Sequence, residues 1–119
     1  MKLETVRKFA LSLPETTEEP HFDMSSFRVR SKIFCTVPND KTLHLYVDPL
    51  EAEALVAENP AAYEHIVWGK RPKPEWLRVF LTKADSAQVK ELLEDGWRMK
   101  APKRVVAEYD AKAARISSA

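Results

Sequence analysis

Between residues 25 and 47 the side chains alternate with a period of two, and the alternation is broken only by very short turn-forming stretches. Phe27 and Val29 alternate with Arg28 and Arg30. After a turn at Ser31, Lys32 to Val37 is rich in β-forming residues, Pro38-Asn39-Asp40 has turn chemistry, and Leu43, Leu45 and Val47 share one side of a further segment. A period of two sends successive side chains to opposite faces of a strand. Links of one to four residues are too short for a crossover, so these strands, over 25–30, 32–37 and 42–47, must form an antiparallel meander. A fourth segment, 76–82, repeats the pattern with Leu77, Val79 and Leu81. A shorter stretch around His65 to Trp68 offers another strand, which makes about five.

Helical spacing surrounds this core of strands. Leu3, Val6, Phe9, Ala10 and Leu13 recur at intervals of three and four until Pro14 stops the pattern. Glu15-Thr16-Thr17-Glu18-Glu19-Pro20 shows no periodicity and reads as an acidic loop. Asp48-Pro49-Leu50-Glu51 has the cap, first-turn proline and acidic residue of a helix start, and the helix should end near Asn59, before Pro60. Asp85, with Gln88 three residues on, opens a third helix whose stripe is Val89, Leu92, Leu93 and Trp97, extended by Met99. Gly96 costs about 1 kcal/mol inside a helix, which allows an end as early as Asp95. Pro102 begins a last helix with Val105, Val106, Tyr109, Ala113 and Ile116 on its apolar side, and the tail Ser117-Ser118-Ala119 should fray. Helices segregated from strands indicate an α+β fold with an antiparallel sheet. The 119 residues fit a single domain, 1–119, with a C-terminal helical extension over about 103–116.

Several functions are excluded by composition. The longest apolar run is four residues, Ala54 to Ala57, which leaves no membrane span or secretory signal. A single cysteine, Cys35, permits no disulfide framework and no cysteine-based zinc cluster. With two glycines, Gly69 and Gly96, no glycine-rich phosphate loop can be built. A cytoplasmic chain without metal or cofactor, monomeric by default, is expected. Catalytic signals are equally sparse. Cys35 lies mid-strand, where cysteine behaves as a small core hydrophobe. His21, His44 and His65 show no metal-ligand spacing, and Glu15, Glu18 and Glu19 are a solvated run rather than a spaced acid/base pair. No G-x-S-x-G or S-x-x-K motif occurs. A non-enzymatic protein is expected.

Charge points elsewhere. Residues 1–66 hold 7 Lys/Arg against 11 Asp/Glu, and residues 67–119 hold 12 against 7, so a net of −4 is followed by a net of +5. Such asymmetry suggests an anionic partner. On the 76–82 strand, Trp76, Arg78 and Phe80 oppose the leucine stripe, and Arg28, Arg30, His44 and Tyr46 occupy comparable positions on the meander. Arginines interleaved with aromatics on a sheet face can stack bases and hold phosphates. Lys32, the loop cations Lys70, Arg71 and Lys73, and the run Arg98, Lys100, Lys103 and Arg104 add to this surface. The alternative is equally physical: helices cover the second sheet face, Trp76 and Phe80 are core, and the arginines form a solvated rim.

The residues also resemble a family. Leu11-Ser12-Leu13-Pro14-Glu15, then Glu18-Glu19-Pro20-His21-Phe22 and Ser26-Phe27-Arg28-Val29-Arg30-Ser31-Lys32-Ile33-Phe34, are similar to the opening of the MmcQ/YjbR-like bacterial proteins. The likeness continues through Leu45-Tyr46-Val47-Asp48-Pro49, Trp76-Leu77-Arg78-Val79 and Trp97-Arg98-Met99-Lys100-Ala101-Pro102-Lys103, in family order, over residues 1 to about 104. Phe22-Asp23-Met24 departs from an aromatic-Gly-Lys stretch common in that family and removes a cation, and the chain beyond Arg104 runs past where many members end. The resemblance implies a curved antiparallel sheet of double-wing type and a DNA-binding role, the latter by fold analogy to a phage transcription-factor domain. It brings no agreed catalytic residues. The expected nucleic-acid contacts are therefore Arg28, Arg30, Lys32, Lys70, Arg71, Lys73, Trp76, Arg78 and Lys103. His21, in its Pro-His-Phe setting, is expected to latch a loop by bonding backbone. A small-molecule or protein-interaction module using the aromatic face is the other reading.

Overall fold

Leu3–Ser12 forms α1, burying Val6 and Ala10, with Leu13 buried just beyond its end and Phe9 partly buried against the core. The computed structural model describes residues 1–117, so the fraying expected of the tail falls partly outside the described residues. The next segment corrects the sequence reading. Thr16–His21 is not an acidic loop but an edge strand, β1, paired antiparallel with β2 (Met24–Val29). Its carboxylates hold it in place. Arg7 on α1 forks onto Glu18 at 2.8 and 3.1 Å, and Ser25 on β2 donates to the same carboxylate at 2.6 Å. Pro20 is tolerated because an edge strand has one unpaired side.

β3 (Lys32–Asn39) and β4 (Thr42–Tyr46) complete the meander, α2 (Pro49–Glu58) follows, and β5 (Tyr63–Trp68) and β6 (Arg71–Phe80) form a second hairpin. The sheet therefore has six strands rather than five, all antiparallel, in the order β1-β2-β3-β4-β6-β5. The segment that carries the expected loop cations Lys70, Arg71 and Lys73 is mostly strand: only Gly69 and Lys70 turn, with Gly69 at φ 64°, and Arg71 already pairs with Trp68. β4 pairs β6 only over Thr42–Tyr46 with Trp76–Phe80, so 71–74 has a neighbour on one side and its prolines forfeit no ladder bond.

Burial alternates from Leu43 along β4 and from Trp76 along β6. Leu43, Leu45, Val47, Leu77, Val79 and Leu81 are buried, and with Phe27, Val29, Phe34 and Cys35 they join helical residues in one apolar cluster. Asp48 caps α2 by accepting from the Leu50 amide at 3.3 Å, and Asp85 caps α3 (Ser86–Lys100) by accepting from the Gln88 amide at 3.1 Å, as their sequence positions anticipate. Helix α3 does not end near Asp95. It runs through Gly96 because that residue lies against the sheet, where a Cβ would meet the Tyr46 carbonyl at 2.9 Å. Trp97, fully buried, donates its indole N–H to the Pro14 carbonyl at 2.9 Å. Helix α4 (Lys103–Ser117) packs on α3 through buried Val105, an edge contact between Tyr109 and Trp97 at 5.0 Å, and Arg98, which bridges Glu94 and Asp110.

Gly96→Ala gains helix propensity yet should destabilise the protein by about 1–3 kcal/mol, because the added methyl meets a backbone oxygen that cannot rotate away. Urea denaturation of the variant measures it, and a stabilised variant would contradict the close approach. Cys35 is fully buried, and burial raises its thiol far above the usual range. In the native protein it should therefore resist alkylation at neutral pH and react only after denaturation.

Candidate functional site

The helices leave one sheet face open. Across its middle, Thr36 pairs with His44 and His44 with Arg78, while Tyr46 pairs with Trp76 and Arg78 with Glu64. None of these side chains belongs to the buried cluster, although Tyr46 packs against its margin. The reading in which helices cover this face is thereby corrected: Trp76 and Phe80 are half-buried, not core. The register shifts between Phe27 and Arg28 on one side, and between His65 and Ile66 on the other. Such bulges bend the strands and increase their twist. In a flat sheet the two edge strands would stand roughly 24 Å apart. Here His21 on β1 and Trp68 on β5 line the same cavity, of about 170 Å³, together with Ile33, Thr36, His44 and Trp76. The hairpins β1–β2 and β5–β6 thus act as two wings folded toward each other.

The residues expected to hold phosphates divide into two groups. Three of the four arginines, Arg28, Arg30 and Arg78, are engaged. Arg28 donates Nε to Ser26 Oγ at 3.0 Å and Nη2 to the Pro20 carbonyl at 3.0 Å, while Ser26 donates to the Glu19 carbonyl at 2.7 Å. It fastens the first wing. Arg30 leaves the open face altogether: it sits with Ser31 in a turn where both have positive φ, and it forks onto Glu15 at 2.5 and 3.2 Å. Arg78 pairs with Glu64 and donates Nε to His44 Nε2 at 3.3 Å.

The lysines and Arg71 behave differently. Lys32 begins β3 and Arg71 begins β6, and because both strands run antiparallel to β4 these positions share one end of the sheet. Lys70 and Lys73 belong to the same β5–β6 wing. Lys100, at the end of α3, stands over the Tyr46 ring at 3.9 Å and brings the start of α4, with Lys103, to that same end. Lys32, Lys70, Arg71 and Lys103 are exposed, and among the described residues neither these four nor Lys73 has a carboxylate partner. Lys73 instead lies 5.6 Å from the Trp68 ring.

Sequence reasoning missed Trp68, which is 55 % exposed at the wing tip, and Thr36 and Ile33 in the cleft. An aromatic next to the Gly69 turn was the available signal for the first. The others depend on a strand register that the sequence does not specify. The latch expected of His21 is absent: its ring makes no hydrogen bond among the described residues and instead touches Phe22 edge-on at 4.6 Å, because Arg28 already closes that hairpin. Burial, and then the charge of Arg78, push His44 down to about 4, so it is neutral near pH 7. No group of His, Cys, Asp and Glu able to hold a metal converges among the described residues, and no helix there is long and apolar enough to cross a membrane.

The family model described as YjbR matches residues 11–99. The chain belongs to the YjbR family. The match spans β1 to nearly the end of α3, so both wings and the cleft lie within the YjbR portion and α4 lies beyond it. Among solved structures, a Deinococcus radiodurans protein with a DUF419 domain is similar with a TM-score of 0.69 and 22% identity over 82% of this chain and 76% of that one. A Pseudomonas syringae protein is similar with a TM-score of 0.67 and 15% identity, covering 84% of this chain and 99% of the other. At these identities the likeness is one of fold, and it places the curved α+β sheet in that group. No curated protein matches the chain.

His44 gives the site a pH signature. Its folded value lies below the ordinary 6.5, so between about 6.5 and 4 the unfolded chain takes a proton that the folded protein refuses, and stability falls as pH falls through that window. Glu51 and Asp95, both raised mainly by burial, act in the opposite sense. His44→Gln keeps an acceptor for Arg78 and should flatten the loss of Tm on acidification relative to wild type. Equal slopes in thermal melts would show that His44 is not held neutral.

Proposed function

We propose that this YjbR-family chain is a cytoplasmic, non-enzymatic DNA-binding protein whose β5–β6 wing, with the neighbouring basic end of the sheet, contacts the phosphate backbone. The observation that carries this reading is the division of the cations. Arg28, Arg30 and Arg78 are spent on internal bonds, whereas Lys32, Lys70, Arg71, Lys73 and Lys103 gather at one end without carboxylate partners. A two-stranded ribbon fits the major groove in width, and unpaired cations release counterions from the duplex when they contact phosphate. The exposed Val67 on the same wing supplies apolar contact area. A binding role also suits the candidate catalytic groups. Cys35 is enclosed with its proton held, and His44 is too weakly basic to take a proton near pH 7.

A second reading, a small-molecule site, is favoured by the cleft between the wings. The two differ in salt dependence. On duplex DNA, log affinity should fall with log salt with a slope of roughly −0.9 per phosphate contact. Replacing Lys70, Arg71 and Lys73 together with Ala should weaken binding at low salt and flatten that slope by up to about 2.7, if each holds one phosphate. These positions are exposed or half-buried on a protruding hairpin, so the fold should survive the change. Anisotropy titrations at several salt concentrations read both quantities. Identical affinity and slope for wild type and the triple variant would reject DNA binding through this wing.

A further inference from the structure

The cleft between the wings has a lining that a purely electrostatic DNA contact does not use. Two indoles, Trp68 and Trp76, stand on the β5–β6 side, His21 and Ile33 on the other, and Thr36 and His44 on the floor. Thr36 is only 9 % exposed, yet its hydroxyl makes no hydrogen bond to any described residue. No buried side-chain polar atom lacks a partner among the described residues, so this hydroxyl opens into the cleft, where it can donate to and accept from a ligand. His44 accepts from Arg78 at Nε2, which leaves the ring proton on Nδ1 as a second donor beside it. Lys73, over Trp68, sets a positive charge at the rim. At about 170 Å³ the cavity is well below the roughly 300–1,000 Å³ of sites for drug-sized ligands, so it holds one small ring system. Flat apolar walls, hydrogen-bonding groups beneath and a cation at the edge complement a planar heteroaromatic ring that carries an anionic substituent.

We propose that the cleft between the two β-wings binds a single nucleobase, stacked against Trp68 and Trp76 with its polar edge toward Thr36 and His44 and its phosphate toward Lys73. The inference deepens the nucleic-acid reading and rests on it for the source of the base, an unpaired nucleotide of a strand. A free nucleotide presents the same chemistry.

The test uses the full chain with three probes: an oligothymidylate of about 12 nucleotides, an abasic strand of equal length and charge, and thymidine monophosphate. The oligothymidylate should bind about tenfold more tightly than the abasic strand and should quench tryptophan fluorescence, since stacking on an aromatic is worth roughly five- to 150-fold per base. Trp97 is fully buried, so the quenching reports Trp68 and Trp76. Trp68→Ala alters an exposed residue and should bring the oligothymidylate down to the abasic level while leaving abasic binding and its salt slope unchanged. Trp68→Phe should restore most of the difference, and Thr36→Val should weaken the oligothymidylate severalfold without changing the slope. Equal affinity for both strands with no quenching would overturn the base site while leaving the phosphate-binding wing intact. If thymidine monophosphate quenches wild type but not Trp68→Ala, while neither strand binds, the base site stands and the DNA-binding reading falls. If none of the three probes binds, both fail.

Discussion

The carbonyl of Tyr46 and the backbone of Gly96 lie so close that a single methyl group at residue 96 would be 2.9 Å from the oxygen. That contact lays α3 directly on β3 and β4. Trp97, the next residue, can then sink wholly into the core and reach the Pro14 carbonyl, where α1 gives way to β1. One helix thus locks the N-terminal helix, the central strands and, through the Tyr109 edge contact, α4. The apolar residues of the sheet are used up on that side: Leu43, Leu45, Leu77 and Val79 point at the helices, so His44, Arg78, Thr36 and Trp76 necessarily point away from them. The open face results from close packing on the opposite one.

How much of this is written in the sequence varies with the strand. β4 and the second half of β6 alternate cleanly because each is half-buried, and β3 is recognisable from its β-formers. β1 is not legible, because Thr-Thr-Glu-Glu-Pro-His contains no apolar residue to alternate; its place depends on Arg7 and Ser25 meeting Glu18, a tertiary event. The start of β6 is hidden by Pro72 and Pro74, which normally signal a loop and are allowed here because β4 stops short of them. Gly96 misleads for a related reason. Its helix-breaking cost is offset by an approach that only glycine permits, and nothing in the sequence of α3 reveals what lies against it.

For the site, the sequence identifies residue types and the structure assigns their duties. Nine cationic and aromatic positions look equivalent as a roster of potential contacts, since spacing carries no information about which carboxylate or carbonyl each meets. Arg30 shows the point most plainly. Its alternation with Val29 places it on a strand face, but it occupies a turn at φ 49° and pairs with Glu15, a residue of the supposed loop. Arg28 is spent on the Pro20 carbonyl, an unpaired acceptor on an edge strand. Planar guanidinium groups with several donors are suited to such fixed internal bonds, whereas lysines on a hairpin stay solvated and available.

A sheet with one covered face ordinarily leaves the other flat and polar. This one is bent instead, with a bulge on each side of its centre, and the bend concentrates aromatic surface where the wings face one another. Bending exposes a cost as well: Phe22, Val67 and Trp68 are 91 %, 53 % and 55 % exposed at or beside the wing tips, where no core contact rewards their apolar area. Large apolar side chains can persist at such positions as isolated surface residues. Here, however, two of them flank cations without carboxylate partners and one lines the cavity into which the Thr36 hydroxyl opens. Stability alone does not account for the tip aromatics, because their apolar area would lower the free energy further if covered. The same residues become favourable once a ligand with a flat face and a polar edge enters the cleft, and that asymmetry between the empty and occupied states is the physical basis for reading the wings as a binding device.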